Sequence, residues 1–395
     1  MSYKIAIDLG TSGQRAQALD ERGKILQTAM TVRHPLPGAN IMDHLTFAIR
    51  NGLQLSNDIM VGSVNKVIGA LEIDLNEVET IAVCGNPAQL SLFEGIEIRD
   101  LAYAGESLLR ELKVTPPERR GKIITAESLP KLNVRPKTEI IIPPAVRHEI
   151  GADALAMVVK SKMLEEKDVA MVTDYGTNAE MGIFIDGEFI TGSAAAGPAI
   201  EGQHIEYGML ATPGAISELD ENWQNYVLDE KFKKQTGDMV DPTTGAVIKK
   251  GGIRAKGITG TGVISTIAMG MEKGLIVPPH IKTPDNKLHL QDGIYFTEED
   301  LSEATKALGA LRAGHLTLAE AAGIDYENVE AMYMCGASGT YVNPLHAQRV
   351  GYIPPALNRT VQAGNTSLSM AVDLVRYPGK LDELQELADS MKAKH

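Results

Sequence analysis

Short apolar runs that end at glycine or proline alternate along the chain with longer stretches of helical periodicity. The apolar runs predict β-strands at 5–9, 79–84, 139–142, 169–174 and 329–335. The helical stretches cover 45–70, 151–162, 257–271 and a segment that opens at Thr297 and runs to Gly314 or a little beyond. This alternation of strands and helices predicts a layered α/β fold.

The second half of the chain carries more short elements. Apolar residues predict strands at 209–216, 225–228 and 361–363, with a polar excursion at 231–252. Thr297 followed by Glu-Glu-Asp resembles a capping box, which marks the start of a helix. The last residues, 380–394, predict an amphipathic helical tail.

Two distant segments repeat one pattern: an apolar strand, an aspartate, a Gly-Thr turn, a second strand and a tight hairpin into a third. The first copy spans 5–23 with Asp8, and the second spans 171–187 with Asp174. Glycine lets backbone N–H groups approach phosphate oxygens, and an aspartate at a strand end can hold Mg²⁺ or orient water. Two such copies predict a duplicated fold with a nucleotide between its halves.

Three further glycine turns link a strand to the start of a helix, at 257–262, 336–339 and 364–365. Backbone N–H groups at a helix N-terminus favour phosphate, although each turn taken singly also fits a simple tight turn. Neither a P-loop nor a well-placed Gly-x-Gly-x-x-Gly is present, which disfavours P-loop and Rossmann folds.

Composition narrows the class of protein. The chain has 395 residues, enough for two domains, with 44% hydrophobic and 23% charged residues, as in globular proteins. A formal net charge of −13 argues against nucleic acid or an anionic membrane as the main partner. No apolar run approaches the ~20 residues of a membrane span. Because the first strand follows Met1 almost at once, we expect no signal peptide and place the chain in the cytoplasm.

The two cysteines, Cys84 and Cys335, each close an apolar strand before a glycine turn. A [4Fe–4S] cluster normally takes four thiolates, so one chain cannot supply a full set, although a dimer that bridges a cluster stays open. We interpret both as small buried apolar residues and expect no iron–sulfur cluster on this chain.

These hairpins and turns resemble those of the acetate kinase, sugar kinase, Hsp70 and actin superfamily, and within it the ATP-dependent reductive activators of corrinoid proteins. The narrower likeness is to the methylamine methyltransferase corrinoid protein reductive activases of methanogenic archaea. The segments that carry the resemblance are 34–38, 42–45, 84–93, 98–106, 148–157, 173–180, 194–202, 211–216, 257–262 and 336–341.

The resemblance implies an actin-like (ribonuclease H-like) fold, with lobes at 1–165 and 166–379, a nucleotide cleft between them, and a tail at 380–395. It implies an ATPase that drives Co(II) to Co(I) in a methylamine corrinoid protein. Asp8 and Asp174 would hold Mg²⁺ and act in catalysis, and Glu180 would polarise water. Contacts to ATP would come from Gly10, Thr11, Ser12, Gly13, Gly176, Thr177, Asn178, Gly260, Gly262, Gly336, Ala337, Ser338 and Gly339.

One departure from this family concerns electron transfer. The activases also carry a ferredoxin-like region with cysteine runs, and this sequence has none. The resemblance therefore implies the ATPase module only, with a corrinoid protein as partner and a separate or missing ferredoxin-like electron donor. The sequence is compatible with a homodimer as well as with a monomer.

Three other functions fit the same fold. A small-molecule kinase would transfer phosphate to a metabolite, and a nucleotide-sensing scaffold would bind ATP without turnover. An activator of a 2-hydroxyacyl-CoA dehydratase would need a cluster bridged by a dimer. ATP hydrolysis stimulated by a corrinoid protein would distinguish the leading hypothesis from all three.

Overall fold

A computed structural model describes residues 2–11, 13–31, 33–38, 40–103, 105–145, 151–165, 169–176, 178–186, 188–197, 199, 202–355 and 359–391, with only the backbone of residues 337 and 338. Contacts divide the chain into two compact units. The first holds Met1–Glu165 and Asn365–Ala393, and the second holds Glu166–Gly364.

The first unit is built on a six-stranded sheet of order β3-β2-β1-β4-β6-β5. Its strands are β1 (Tyr3–Leu9), β2 (Gln14–Asp20), β3 (Ile25–Met30), β4 (Val78–Gly85), β5 (Lys122–Thr125) and β6 (Glu139–Ile142). Its helices are α1 (Ile41–Asn51), α2 (Leu53–Gly69), α3 (Pro87–Glu94), α4 (Arg99–Ala102), α5 (Glu106–Glu111) and α6 (Ala152–Ser161). The helical stretch expected at 45–70 is confirmed, and it divides into two helices because Gly52 adopts a φ of 102° that interrupts the helical path.

The second unit contains two five-stranded sheets, of order β20-β19-β7-β8-β9 and β13-β12-β11-β10-β14. Its strands are β7 (Ala170–Asp174), β8 (Ala179–Ile185), β9 (Glu188–Ala194), β10 (Ala215–Leu219), β11 (Gln224–Leu228), β12 (Lys234–Val240), β13 (Val247–Lys249), β14 (Gly257–Ile258), β15 (Ile276–Val277), β16 (His280–Ile281), β17 (Lys287–His289), β18 (Tyr295–Thr297), β19 (Ala331–Cys335) and β20 (Arg359–Gly364). Its helices are α7 (Gly260–Glu272), α8 (Glu298–Ala321), α9 (Gly336–Tyr341) and α10 (Pro344–Arg349).

Two predictions for the second unit need correction and one is confirmed. The strand expected at 209–216 begins at Ala215, and the polar excursion at 231–252 contains β12 and β13. The capping box is confirmed: Thr297 and Asp300 exchange hydrogen bonds, and α8 continues unbroken past Gly314.

Both units repeat one strand order, which confirms the predicted duplication. The order β3-β2-β1-β4-β6 of the first sheet recurs as β9-β8-β7-β19-β20 in the second. The repeat extends to single residues, because Asp8 pairs with Cys84 across parallel strands just as Asp174 pairs with Cys335. Both cysteines are fully buried, as the sequence analysis expects.

The last two helices, α11 (Thr366–Arg376) and α12 (Lys380–Ser390), belong with the first unit. The expected division at 166–379 and 380–395 therefore differs from the contacts of the chain. The reason is packing, since α11 buries an apolar face against β1, β4 and α6. The tail helix α12 buries Leu381 and Leu384 in the same core, and Gln385 accepts a hydrogen bond from the Gly121 backbone.

None of the helices among the described residues is both long enough and apolar enough to cross a membrane.

A buried histidine lies in the core of the second unit, beneath the second aspartate hairpin. His315 of α8 is fully buried, with Nε2 2.8 Å from Thr173 Oγ1 and Nδ1 3.4 Å from the Tyr326 hydroxyl. Burial lowers the pKa of His315 to about 4. The unfolded chain binds a proton near pH 6.5, and the native state does so only near pH 4.

We therefore expect the free energy of unfolding of the second unit to fall as the pH is lowered from 6.5 to 4, by roughly 3 kcal/mol from this group. His315→Gln should remove that part of the pH dependence. Urea unfolding followed by fluorescence of Trp223, the only tryptophan and a buried residue of this unit, measures it. The exposed control His204→Asn should keep the wild-type slope, and an unchanged slope in His315→Gln would contradict the assignment.

Candidate functional site

The first aspartate hairpin places a carboxyl group at a buried strand end. Asp8 follows the apolar residues of β1 and is 5% exposed. It lies opposite Arg15 of β2, whose Nη1 donates to Asp8 Oδ2 over 3.5 Å. Burial raises the pKa of Asp8, and the charge of Arg15 opposes that rise. The negative charge is therefore only partly compensated.

The turn between β1 and β2 has no room for side chains at two predicted phosphate positions. A Cβ at Gly10 would lie 2.7 Å from the Gly13 carbonyl oxygen, and one at Gly13 would lie 2.8 Å from the Thr31 carbonyl oxygen. The next residue, Gln14, is buried, and neither of its side-chain amide atoms has a hydrogen-bond partner. A turn with glycine at both ends, beside an unpaired amide, fits a phosphate group.

Thr11, another predicted phosphate ligand, is oriented by a residue that the sequence analysis left without a role. Asn86 Nδ2 donates to Thr11 Oγ1 over 3.2 Å, while Asn86 Oδ1 accepts from the Gln89 backbone N–H and caps α3. The Thr11 hydroxyl thus keeps its own hydrogen for a ligand. Ser12 lies outside the described residues.

Two more side chains near Asp8 were missed by sequence reasoning, Asp153 and Asn365. Asp153 lies in the first turn of α6, where its Oδ1 accepts from the Ala154 backbone N–H. Burial raises the pKa of Asp153 to about 6; that hydrogen bond opposes the rise and the charge of Asp8 adds to it. Asp153 carries no motif of its own, so only its position in the fold reveals it.

The chemistry of these groups fits Mg²⁺. Two carboxyl groups with raised pKa values carry negative charge that their surroundings stabilise poorly, and a divalent cation would relieve it. Mg²⁺ takes one or two carboxylates and completes its shell with water and phosphate oxygens. Among the described residues, no group of three or more His, Cys, Asp or Glu could hold a metal ion.

The second hairpin carries two carboxylates instead of an acid and a base. Asp174 of β7 lies directly opposite Glu180 of β8, at the register position that Arg15 holds against Asp8. Residues directly opposite in an antiparallel pair project from the same face of the sheet. The structure therefore brings together Asp174 and Glu180, as the sequence analysis expects of a metal and water site.

The turn between β7 and β8 is partly described. Gly176 and Asn178 are half-buried, and a Cβ at Gly176 would lie 3.2 Å from the Asn178 carbonyl oxygen. Thr177 lies outside the described residues. The role of this turn in binding phosphate stays a prediction.

The late glycine turn is packed against the second aspartate. Gly336 has a φ of 75°, and a Cβ there would lie 2.3 Å from Asp174 Oδ1. Any side chain at this position would displace the carboxylate. Gly339 of the same turn faces the core, where a Cβ would lie 3.0 Å from the Tyr175 ring. The side chains of Ala337 and Ser338 lie outside the described residues.

Gly260 and Gly262 are buried in the first turn of α7. Thr259 caps that turn, accepting from the Gly262 backbone N–H. A Cβ at Gly262 would lie 2.4 Å from the Ile216 carbonyl oxygen. Close packing on β10 thus explains the glycine at 262, and contact of either residue with a nucleotide stays a prediction.

The histidines of the 34–38 and 42–45 motifs form a buried pair in the first unit. The rings of His34 and His44 stack with centroids 3.7 Å apart, and Gln89 bridges them, with its Oε1 2.7 Å from His34 Nε2 and its Nε2 2.9 Å from His44 Nδ1. Burial lowers the pKa of His44 to about 3. The pair is neutral at ordinary pH and fixes the loop before α1 to α3.

Comparison with known families accounts for the whole chain. Residues 3–166 match the model of the RACo middle region, and residues 168–395 match that of the C-terminal domain of RACo, the ASKHA domain. ASKHA domains are actin-like ATP-binding modules, which agrees with the duplicated sheets.

Individual relatives point the same way. The chain is 48% identical over 397 aligned positions to the "[Co(II) methylated amine-specific corrinoid protein] reductase" of Methanosarcina barkeri, covering 100% of this chain and 73% of that protein. It is 23% identical to the corrinoid activation enzyme RamQ of Eubacterium limosum, covering 89% of this chain and 60% of that protein.

A solved structure shares the fold. The "Reductive activator for corrinoid,iron-sulfur protein" superposes with a TM-score of 0.77 at 22% identity, covering 100% of this chain and 63% of that one. The chain thus spans between three-fifths and three-quarters of these relatives. With both of its units matched by the family's own models, the chain belongs to the RACo family of corrinoid-protein reductive activators.

Proposed function

We propose that this chain hydrolyses ATP to drive the reductive activation of a methylated-amine corrinoid protein, in which Co(II) is returned to Co(I). The observation that carries the proposal is the pair of carboxylate hairpins, Asp8 and Asp174, set on equivalent strands of two sheets. The full-length likeness to a Co(II) corrinoid protein reductase supports the choice of partner. We place this reaction in the cytoplasm, with a ferredoxin-like group as electron donor.

The two hairpins would bind different parts of the nucleotide, its metal and the attacking water. In the first hairpin, the backbone of Gly10 and Gly13 and the hydroxyl of Thr11 would bind phosphate, and Asp8 would hold Mg²⁺. In the second, Asp174 would hold the metal and Glu180 would orient water. When bound, Mg²⁺·ATP supplies the scissile phosphoanhydride bond and neutralises the charge of its phosphates.

Asp153 suits the role of general base. Its raised pKa makes it a better proton acceptor than an ordinary aspartate, and it is ionised at neutral pH. It would take the proton of the water that attacks the γ-phosphorus, while the bond from that phosphorus to the bridging oxygen breaks and ADP leaves. Binding of ATP can act on the corrinoid protein only if ATP has different affinities for two conformational states of this chain.

The decisive assay measures ATP hydrolysis with and without a Co(II) methylated-amine corrinoid protein, using titanium(III) citrate as the electron source. Stimulated hydrolysis together with the appearance of Co(I) in the visible spectrum is the expected result. A rate of ATP hydrolysis that is the same with and without the corrinoid protein, or phosphate transfer to a metabolite, would overturn the proposal.

Removing either hairpin charge should abolish hydrolysis. Asp8→Asn and Asp174→Asn keep the size of the side chain and remove a charged oxygen that the metal needs, so we expect the rate to fall by at least about a hundredfold. The control Asp382→Asn, on the exposed face of α12, should retain the wild-type rate. Full activity of both hairpin variants would place the metal elsewhere.

The pH profile tests Asp153. Since the base must be ionised, the wild-type rate should decline as the pH falls below about 6. Asp153→Asn should lower the rate by about a hundredfold and remove that acid limb. If Asp153→Asn keeps both the rate and the limb, Glu180 is the better candidate, and Glu180→Gln under the same conditions decides between them.

The contact of the late glycine turn with Asp174 can be tested by one methyl group. Gly336→Ala would push its Cβ into Asp174 Oδ1, so we expect a loss of activity of about tenfold or more. Gly323→Ala is the matched control, because Gly323 has a similar φ of 73° with open space around it. Equal losses of activity in the two variants would mean that backbone strain alone is responsible.

A further inference from the structure

Asn365 is the residue at which the chain re-enters the first unit, directly after β20. It is the N-cap of α11, where its Oδ1 accepts from the Leu368 backbone N–H over 2.8 Å. Its Nδ2 donates to Asp8 Oδ2 over 2.6 Å, the shortest hydrogen bond that Asp8 receives. One side chain therefore joins the start of a helix to the carboxylate of the first hairpin.

The helix cap decides which way the amide faces. An N-cap must offer an acceptor to the backbone, so the oxygen of Asn365 points to Leu368 and the NH₂ group points to Asp8. Asparagine offers an acceptor and a donor on one planar group. Serine and aspartate cap helices equally well. Capping alone therefore does not explain the amide.

The charges around Asp8 show what the amide adds. Arg15 reaches the same Oδ2 from β2 at 3.5 Å, Asp153 faces it from α6, and Cys84 lies beside it on β4. Both hydrogen bonds therefore fall on Oδ2 and leave Oδ1 for a metal. Because the amide is neutral, it stabilises the ionised carboxylate without competing with the metal for charge.

We propose that Asn365 is a positioning residue, which fixes the Asp8 carboxylate by its hydrogen bond to Oδ2 and leaves Oδ1 for the metal. This inference rests on the proposed role of Asp8 as a Mg²⁺ ligand. It gives the turn at 364–365 a purpose other than the phosphate contact that its sequence suggests.

Two substitutions separate positioning from capping. Asn365→Ser keeps an N-cap and removes the donor, so the Mg²⁺ concentration at half-maximal hydrolysis should rise about tenfold with little change at saturation. Asn365→Asp keeps the cap and sets a carboxylate against Asp8. Because the new carboxylate can accept but cannot donate to Asp8, we expect hydrolysis to be impaired at least as strongly as in Asn365→Ser.

Asn343 provides a matched control, because it also caps a helix, α10, and donates to a carboxylate, Glu218 Oε1, at 2.8 Å. Asn343→Ser and Asn343→Asp likewise keep a cap and remove a donor to a carboxylate, in the second unit. They should keep the wild-type Mg²⁺ dependence and pH profile.

Direct binding of Mn²⁺, followed by electron paramagnetic resonance in the presence of ADP, supplies a readout that needs no turnover. Asn365→Ser should bind Mn²⁺ about tenfold more weakly than wild type or Asn343→Ser, with an unchanged circular dichroism spectrum. Equal Mn²⁺ binding in the two serine variants would overturn the inference. So would wild-type hydrolysis by Asn365→Asp.

Asp8→Asn distinguishes the failure of this inference from that of the proposed function. If Asp8→Asn binds Mn²⁺ normally, the metal role of Asp8 is wrong, and the inference about Asn365 falls with it. If Asp8→Asn loses Mn²⁺ while both Asn365 variants behave like the Asn343 controls, only the positioning role is wrong.

Discussion

Everything in the first unit depends on keeping a carboxylate charged at a buried strand end. Asp8 lies where an unpaired charge is unfavourable, and two neighbouring side chains contribute part of the compensation: Arg15 from β2 and Asn365, the N-cap of α11. The compensation is incomplete, because Asp153 adds a second negative charge from α6. An incompletely compensated pair of carboxyl groups is consistent with the proposed Mg²⁺ site, because a bound cation would supply the missing positive charge.

The two units carry the same strand order and different chemistry at the same register position. Opposite its aspartate, the first hairpin has Arg15 and the second has Glu180. One hairpin therefore joins an acid to a base and the other joins two acids, although both descend from one pattern of strand, aspartate and glycine turn. The duplication preserves the backbone, and the residue opposite each aspartate sets the local charge of that hairpin.

The sequence predicts the parts of this protein that rest on local pattern. The apolar strands, the Asp8 and Asp174 hairpins and the Thr297 capping box all follow from residue types at fixed spacing. It does not predict Asp153 or Asn365, because each acts at a helix start that only tertiary packing brings to Asp8. Nor does local pattern assign α11, since an amphipathic helix is compatible with any apolar surface until the fold supplies one. Gly339 and Gly262 show the converse, where a glycine that suggests a ligand is also required by close packing.

The placement of Cys84 and Cys335 has a consequence for observing this protein in motion. Each unit has one thiol, fully buried at the corresponding strand end beside its aspartate. Burial also raises the pKa of the Cys84 thiol, which slows its reaction with labelling reagents while the strand end stays folded. Alkylation at each cysteine therefore requires local opening of its own strand end. The alkylation rates of the two native cysteines would therefore report separately on local opening in each unit.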